Sequence, residues 1–296
     1  MGGGHYDEDA RSVRSASMGY ATKSMKSIFT QTEKRTLHES MDPHGVVIRE
    51  SRDSEDHPLS VPIIIALDLT GSMHDVPLYL IREGLPNMMS GIIQRGVKDP
   101  QILFLGVGDV ECDHCPLQVG QFESADLELD TWLTRTYPEG GGGGNEGESY
   151  NLAWYFASKH TVTDSWEKRK QRGFLFTIGD EPCLEGLPAN VISNLMGTQP
   201  GGKGFTNKDL LDAAKEKYNV FHLNVMDTGS GKYALPYWER LLGQNCIRVD
   251  DHTNVPSIIV DIVLKHSKSN VLLNDSVSVE PTTVTKPVSS KEDIIL

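Results

Sequence analysis

The stretch Val-Pro-Ile-Ile-Ile-Ala-Leu-Asp-Leu-Thr-Gly-Ser-Met at residues 61–73 is an apolar run that ends in three oxygen-bearing side chains at alternate positions. Pro62 to Leu67 is short, β-branched and uninterrupted. That pattern belongs to a strand buried on both faces of a parallel sheet, not to a half-exposed antiparallel one. The chain then turns, which Gly71 permits. Asp68, Thr70 and Ser72 therefore fall on a loop leaving the carboxyl end of a central strand, where open α/β sheets hold their ligands. One carboxylate and two hydroxyls suit a hard cation such as Mg²⁺, which takes oxygen ligands and keeps several waters.

Downstream, the chain alternates between helical and extended patterns. Residues 77–95 carry apolar side chains at helical spacing, with Pro77 suited to a first turn and Pro86 placed to kink or split the helix. Residues 101–107 form a second buried strand, so the strand–helix–strand order predicts a parallel pair joined by a right-handed crossover. Residues 117–122 fit a short edge strand and 125–133 a helix. The glycine run Gly140, Gly141, Gly142, Gly143, Gly144 and then Asn145 lead into a helix over 150–159. A third buried strand, 173–179, ends at Asp180, and a helix over 207–218 runs straight into a strand at 220–225. A helix at 237–242, a strand at 246–249 and an apolar helix over 255–264 complete the alternation. The fold class is α/β: a Rossmann-like, doubly wound, mostly parallel central sheet flanked by helices.

The organisation expected is one domain over residues 57–265, a basic and poorly ordered arm over 1–56, and a tail over 266–296. Within the arm, Arg11, Arg14, Lys23, Lys26, Lys34 and Arg35 face only Glu33, a basic segment able to dock on an acidic core or a partner. With a formal charge of −13, the chain lacks the dominant basic face that nucleic acid or an anionic membrane requires. No apolar run approaches the roughly 20 residues of a membrane span. The first residues hold neither an apolar signal region nor a myristoylation pattern. Four cysteines in 296 residues are no disulfide framework, so a reducing, cytoplasmic location is expected.

Three loops from one edge of the sheet converge in this reading, and carboxylates crowded there repel one another unless a cation sits among them. The order of elements, Asp68-Leu69-Thr70-Gly71-Ser72 after the first strand and Asp180 after a later one resemble the von Willebrand factor A-type domain and its metal-ion-dependent adhesion site. The resemblance spans residues 61–264, with Thr70 in a slot where the family has Ser. It implies a further ligand from the loop before a helix. Asn145-Glu146-Gly147-Glu148 looks like the integrin β-subunit version of that loop, which makes Glu148 the matched residue, with Ser149 or Glu146 as alternatives. The resemblance implies Mg²⁺ or Mn²⁺ held by Asp68, Thr70, Ser72, Glu148 and Asp180, an open position completed by an acidic residue of a protein partner, and no turnover. It also implies partners such as AAA-type, MoxR-like ATPases or larger assemblies. The glycine loop, Gly140 to Asn145, suits partner binding because glycines allow close approach and movement.

Other patterns point less far. Cys112-Asp113-His114-Cys115 has the spacing of a zinc half-site, and with Cys183 could supply four ligands, but no second pair completes a known zinc pattern. Asp109, Glu111 and Asp113 read as solvated loop acids or as an outer ring around the cation. A phosphate cradle at the glycines lacks the Lys-Ser/Thr that follows a P-loop. His222 lies inside an apolar strand and reads as core, and no serine stands in a nucleophile elbow. The alternatives to a cation-dependent binding module are a metal-independent structural component of a phage or bacterial assembly and, further off, a Mg²⁺-dependent hydrolase.

Overall fold

The computed structural model of the chain describes residues 4–141 and 144–275. Gly142, Gly143 and residues 276–296 of the expected tail lie outside the described residues.

The strands are β1 (Arg49–Ser51), β2 (Val61–Asp68), β3 (Pro100–Val107), β4 (Leu117–Val119), β5 (Thr161–Thr163), β6 (Gly173–Gly179), β7 (Leu187–Pro188), β8 (Gly204–Phe205), β9 (Tyr218–Val225) and β10 (Cys246–Val249). The helices are α1 (Glu8–Met18), α2 (Met25–Ile28), α3 (Gln31–Lys34), α4 (Val76–Tyr79), α5 (Leu85–Gln94), α6 (Asp126–Arg135), α7 (Asn151–Lys159), α8 (Asp164–Glu167), α9 (Ala189–Met196), α10 (Asn207–Lys217), α11 (Gly231–Leu242) and α12 (Val255–Asp275). Six strands form the central sheet in the order β10-β9-β6-β2-β3-β4. All neighbours pair in parallel except β4, which closes the edge antiparallel to β3. The protein is thus the doubly wound α/β fold that its alternating pattern predicts. No helix among the described residues is long and apolar enough to cross a membrane.

The apolar run of β2 follows from its central place. Ile63, Ile65 and Leu67 enter one core, under α5 and α12, while Ile64 and Ala66 enter the other, under α7 and α10. Strand side chains alternate between faces, so a strand covered on both sides is apolar at every position. Each such isoleucine contributes about 1.5–3 kcal/mol of burial. Between α4 and α5, Leu80–Gly84 is a π-helical turn. Pro86 accounts for it, since its ring cannot pack against a regular preceding turn and it donates no hydrogen bond.

Residues 4–56 differ from the poorly ordered arm expected of them. Asp7 caps α1 by accepting from the Ala10 N–H at 2.8 Å, and Gly19 ends it at φ 69. Tyr20, Ile28 and Phe29 join the core on the α5 and α12 side, and Met41 is fully buried. Arg11, 2% exposed, pairs with Asp130 of α6 at 2.7 Å and donates to the Ile81 carbonyl at 2.5 Å. Arg14 pairs with Asp126 and Asp130. A low density of apolar residues hid this segment in the sequence. Its few large side chains and two arginines find their partners 60 to 120 residues away, and no local period records that.

Candidate metal centre

Asp68 is the last residue of β2, and Asp180 follows β6, the strand paired beside it. Both point out of the carboxyl edge of the sheet and both are fully buried. Asp68 Oδ1 accepts from the Thr70 backbone N–H at 2.9 Å and from the Thr70 hydroxyl at 2.6 Å. Thr70 Oγ1 lies 3.4 Å from Ser72 Oγ, and the Ser72 hydroxyl donates to Asp180 Oδ1 at 2.8 Å. Four of the five expected ligand residues are therefore joined in one chain of oxygens across two loops.

Gly71 is what lets the third loop approach. Its N–H donates to the Gly141 carbonyl at 2.7 Å, and a Cβ there would stand 3.1 Å from the carbonyl oxygens of Gly140 and Gly141. Gly140 and Gly141 thus lie directly on the Asp68–Ser72 turn. Gly179 has a similar role underneath, where a Cβ would overlap the Tyr150 hydroxyl at 1.8 Å. That hydroxyl donates to Asp68 Oδ2 at 2.6 Å. Tyr150 was not singled out in the sequence, because only the fold brings the start of α7 under β2.

Glu148 stands apart from the other four. It is 6% exposed and held by its backbone, with its N–H on the Pro182 carbonyl at 2.9 Å and its carbonyl accepting from Leu184 at 2.9 Å. Its Oε2 has no hydrogen-bond partner among the described residues. Nor do Asp68, Glu148 and Asp180 form a group whose ligand oxygens all lie within 4.8 Å of one another. Asp109, at the end of β3, is 2% exposed and also keeps one unpartnered oxygen, Oδ2. Its other oxygen accepts from the Glu111 N–H at 2.7 Å, and Asp113 Oδ2 accepts from the Asp109 N–H at 2.8 Å. Asn145 donates to Glu111 at 3.0 Å, tying the glycine loop to this acidic turn. Ser149, an alternative ligand, is spent on accepting from the Val110 N–H at 3.0 Å. Glu146, the other alternative, accepts from the Tyr233 hydroxyl at 2.7 Å.

The electrostatics follow from burial. Asp68 is pushed up to about 7 by loss of solvent, against the opposing hydrogen bonds from Thr70 and Tyr150. Burial pushes Glu148 up to about 10, with repulsion from Asp68, Asp113 and Asp109 adding to it. The Tyr150 hydroxyl is held well above its usual value, chiefly by burial, so it remains a donor. The donor set is entirely oxygen, which fits Mg²⁺ or Mn²⁺ and not a soft metal. A divalent charge among these groups reverses the cost of ionising them.

The cysteines make no comparable centre. Cys112 is exposed, Cys115 is half-buried and Cys183 is packed in the α7 and α10 core, all three free thiols. They are not a group of close ligand atoms among the described residues. The group that is, Asp227, Asp251 and His252, lies on the loops after β9 and β10, where His252 Nδ1 is 2.7 Å from Asp227. His222 is core, as its sequence context suggests: fully buried, stacked on Trp238 with ring centroids 3.6 Å apart, and 2.9 Å from the Thr177 hydroxyl.

No family model and no curated protein matches the chain. Among solved structures, the pilus adhesin SpaC of Lactobacillus rhamnosus GG, in its open conformation, is similar with a TM-score of 0.48 and 10% identity over 73% of this chain and 31% of the adhesin. A proximal thread matrix protein of the mussel byssus reaches a TM-score of 0.48 and 9% identity over 71% of this chain and 48% of its own. The conserved hypothetical protein BatB of Bacteroides thetaiotaomicron reaches a TM-score of 0.43 and 16% identity over 70% of this chain and 99% of its own. The chain thus spans under half the length of the first two.

Proposed function

We propose that this protein is a binding module that holds Mg²⁺ or Mn²⁺ through Asp68, Thr70, Ser72, Glu148 and Asp180 and uses the cation to grip an acidic side chain of a protein partner. The observation that carries the reading is the hydrogen-bonded series Asp68–Thr70–Ser72–Asp180 together with the unpartnered, buried carboxylate oxygen of Glu148, which feels the charge of Asp68. Among the described residues, none of Asp68, Glu148 and Asp180 has an ion pair to offset its burial. A buried carboxylate without a counter-charge costs several kcal/mol or takes up a proton. A divalent ion supplies that charge. With few protein ligands it also keeps coordination positions for water or for a partner's carboxylate.

The resemblance to the von Willebrand factor A-type domain supports the same reading and extends it to a MoxR-like ATPase or an assembly as the partner. Calorimetric titration with Mg²⁺ and with Mn²⁺ tests the metal. Wild type gives saturable heat and Asp68→Ala gives none; equal heats from the two proteins overturn the reading. Partner capture repeated in EDTA tests the grip, since a partner retained undiminished without the metal is not held through it.

A further inference from the structure

A groove of 480 Å³ opens beside the candidate metal centre, lined by Glu146, Pro182, Lys232, Tyr233, Pro236, Tyr237 and Arg240. It adjoins the site, since the carbonyl of its lining residue Pro182 accepts from the Glu148 N–H at 2.9 Å. Pro182 lies two residues after Asp180, Glu146 two before Glu148, and the Ser230 N–H just ahead of α11 donates to Asp180 Oδ2 at 3.3 Å. Lys232, Pro236 and Arg240 recur every fourth residue of α11, and Tyr233 and Tyr237 do the same, so all five share one face of the helix. Tyr233 is 60% exposed. Pro236, inside the helix, has no N–H to give the Lys232 carbonyl four residues back, which frees that oxygen from the regular helical bond.

Charge gives the groove its direction. Lys232 and Arg240 are exposed and have no ion-pair partner among the described residues, although the chain carries a net charge of −13. Glu146, also in the lining, is engaged by the Tyr233 hydroxyl at 2.7 Å. Between the two cations along α11 stand Tyr233, Pro236 and Tyr237, which with Pro182 supply the apolar part of the lining.

We infer that this groove recognises an extended acidic segment of the partner, of the form acidic–x–apolar–x–acidic, as a second contact beside the metal. Lys232 and Arg240 are separated by about 12 Å at about 1.5 Å of rise per residue. An extended chain covers that distance in about four residues at about 3.3 Å each, and its alternate side chains face the same way. The two acidic side chains then meet Lys232 and Arg240 while the apolar one lies on the tyrosines and prolines. The Lys232 carbonyl accepts a backbone N–H. Rim ion pairs of this kind set orientation and encounter rate more than affinity, so the apolar centre supplies the grip. The inference rests on the protein-binding reading only for the reason a partner approaches this edge.

Fluorescence anisotropy with the full chain tests it, using a labelled Gly-Ser-Asp-Ser-Leu-Ser-Asp-Ser-Gly peptide in Mg²⁺ and in EDTA. Wild type binds this probe at least about tenfold more tightly than the same peptide with Asn for both Asp or Ser for Leu. Lys232→Glu with Arg240→Glu loses that preference and instead binds the peptide carrying Lys at both acidic positions, with an unchanged melting temperature because both side chains are exposed. No binding by wild type, equal binding of the Asn peptide, or no response to the charge reversal overturns the inference. Asp68→Ala separates the two readings. Loss of Mg²⁺ heat with the Lys232 and Arg240 preference retained supports both, whereas a preference that holds while Mg²⁺ has no effect on any protein leaves the groove and removes the metal.

Discussion

Two sets of buried carboxylates lie at different places in this protein, and the chain treats them in opposite ways. On α6, Asp126 and Asp130 are almost wholly buried and are met by Arg14 and Arg11 from α1, so the neutralising charge is built into the sequence. At the carboxyl edge of the sheet, Asp68, Glu148 and Asp180 are buried as deeply, but Asp68 and Asp180 meet only hydroxyls and backbone N–H groups, and Glu148 Oε2 meets no hydrogen-bond partner among the described residues. The first arrangement holds an element in place and the second is suited to receive something. Burial of a charge is tolerable either way, provided a counter-charge arrives.

Breaking the built-in pairs has the largest expected effect. Arg11→Ala strips the partner from a carboxylate that stays buried, so denaturant unfolding should show a loss of about 3–5 kcal/mol while the Mg²⁺ heat of the surviving folded protein is unchanged. A loss below about 1 kcal/mol shows that α1 is not anchored by this pair. At the other set the proposed counter-charge comes from solution. Mg²⁺ at a hundred times its dissociation constant should raise wild-type stability by about 2.7 kcal/mol, and Asp68→Ala should abolish the gain. An equal rise in the variant means the ion binds elsewhere, with Asp227, Asp251 and His252 the group to mutate next.

The finest distinction is in pH. Without metal, the folded protein holds a proton on Glu148 up to about 10 and on Asp68 up to about 7, whereas the unfolded chain releases both near their usual values of 4.5 and 3.8. Between those limits the folded state binds more protons than the unfolded one, so stability is greatest at low pH and is lost as pH rises through the window. In EDTA the unfolding free energy should fall from pH 5 to pH 9, by at most about 1.4 kcal/mol per pH unit for each group, and the melting temperature should fall with it. Glu148→Gln should flatten the fall, and Mg²⁺ should do so in wild type. A wild-type profile already flat in EDTA would contradict the burial of an unpaired Glu148.

How much of this was legible beforehand follows from the range of each interaction. The strands 61–68, 173–179 and 246–249 stand in the sequence nearly residue for residue, because burial on both faces writes itself as local composition. Local pattern marks only residues 237–242 of α11, which starts at Gly231, because glycine, lysine and an internal proline obscure its early turns. Helix α9 escaped notice, since eight residues with only Ile192 and Met196 buried carry little period. The alternation Asp-x-Thr-x-Ser marked a turn rich in oxygen, but its hydrogen bonds to Asp180 cross 108 residues.

What the sequence by itself determined is therefore the α/β alternation, the central place of β2 and the oxygen-bearing side chains that follow it. Those features depend on neighbours within a few positions. Tertiary structure alone decided that residues 4–56 pack on the domain, that Tyr150 rises beneath Asp68, that Glu148 keeps an unpartnered oxygen among the described residues, and that Lys232 and Arg240 line a groove beside the candidate site. Each depends on which distant side chain is within a few ångströms, and hydrogen bonds and ion pairs at that range leave no mark on local composition.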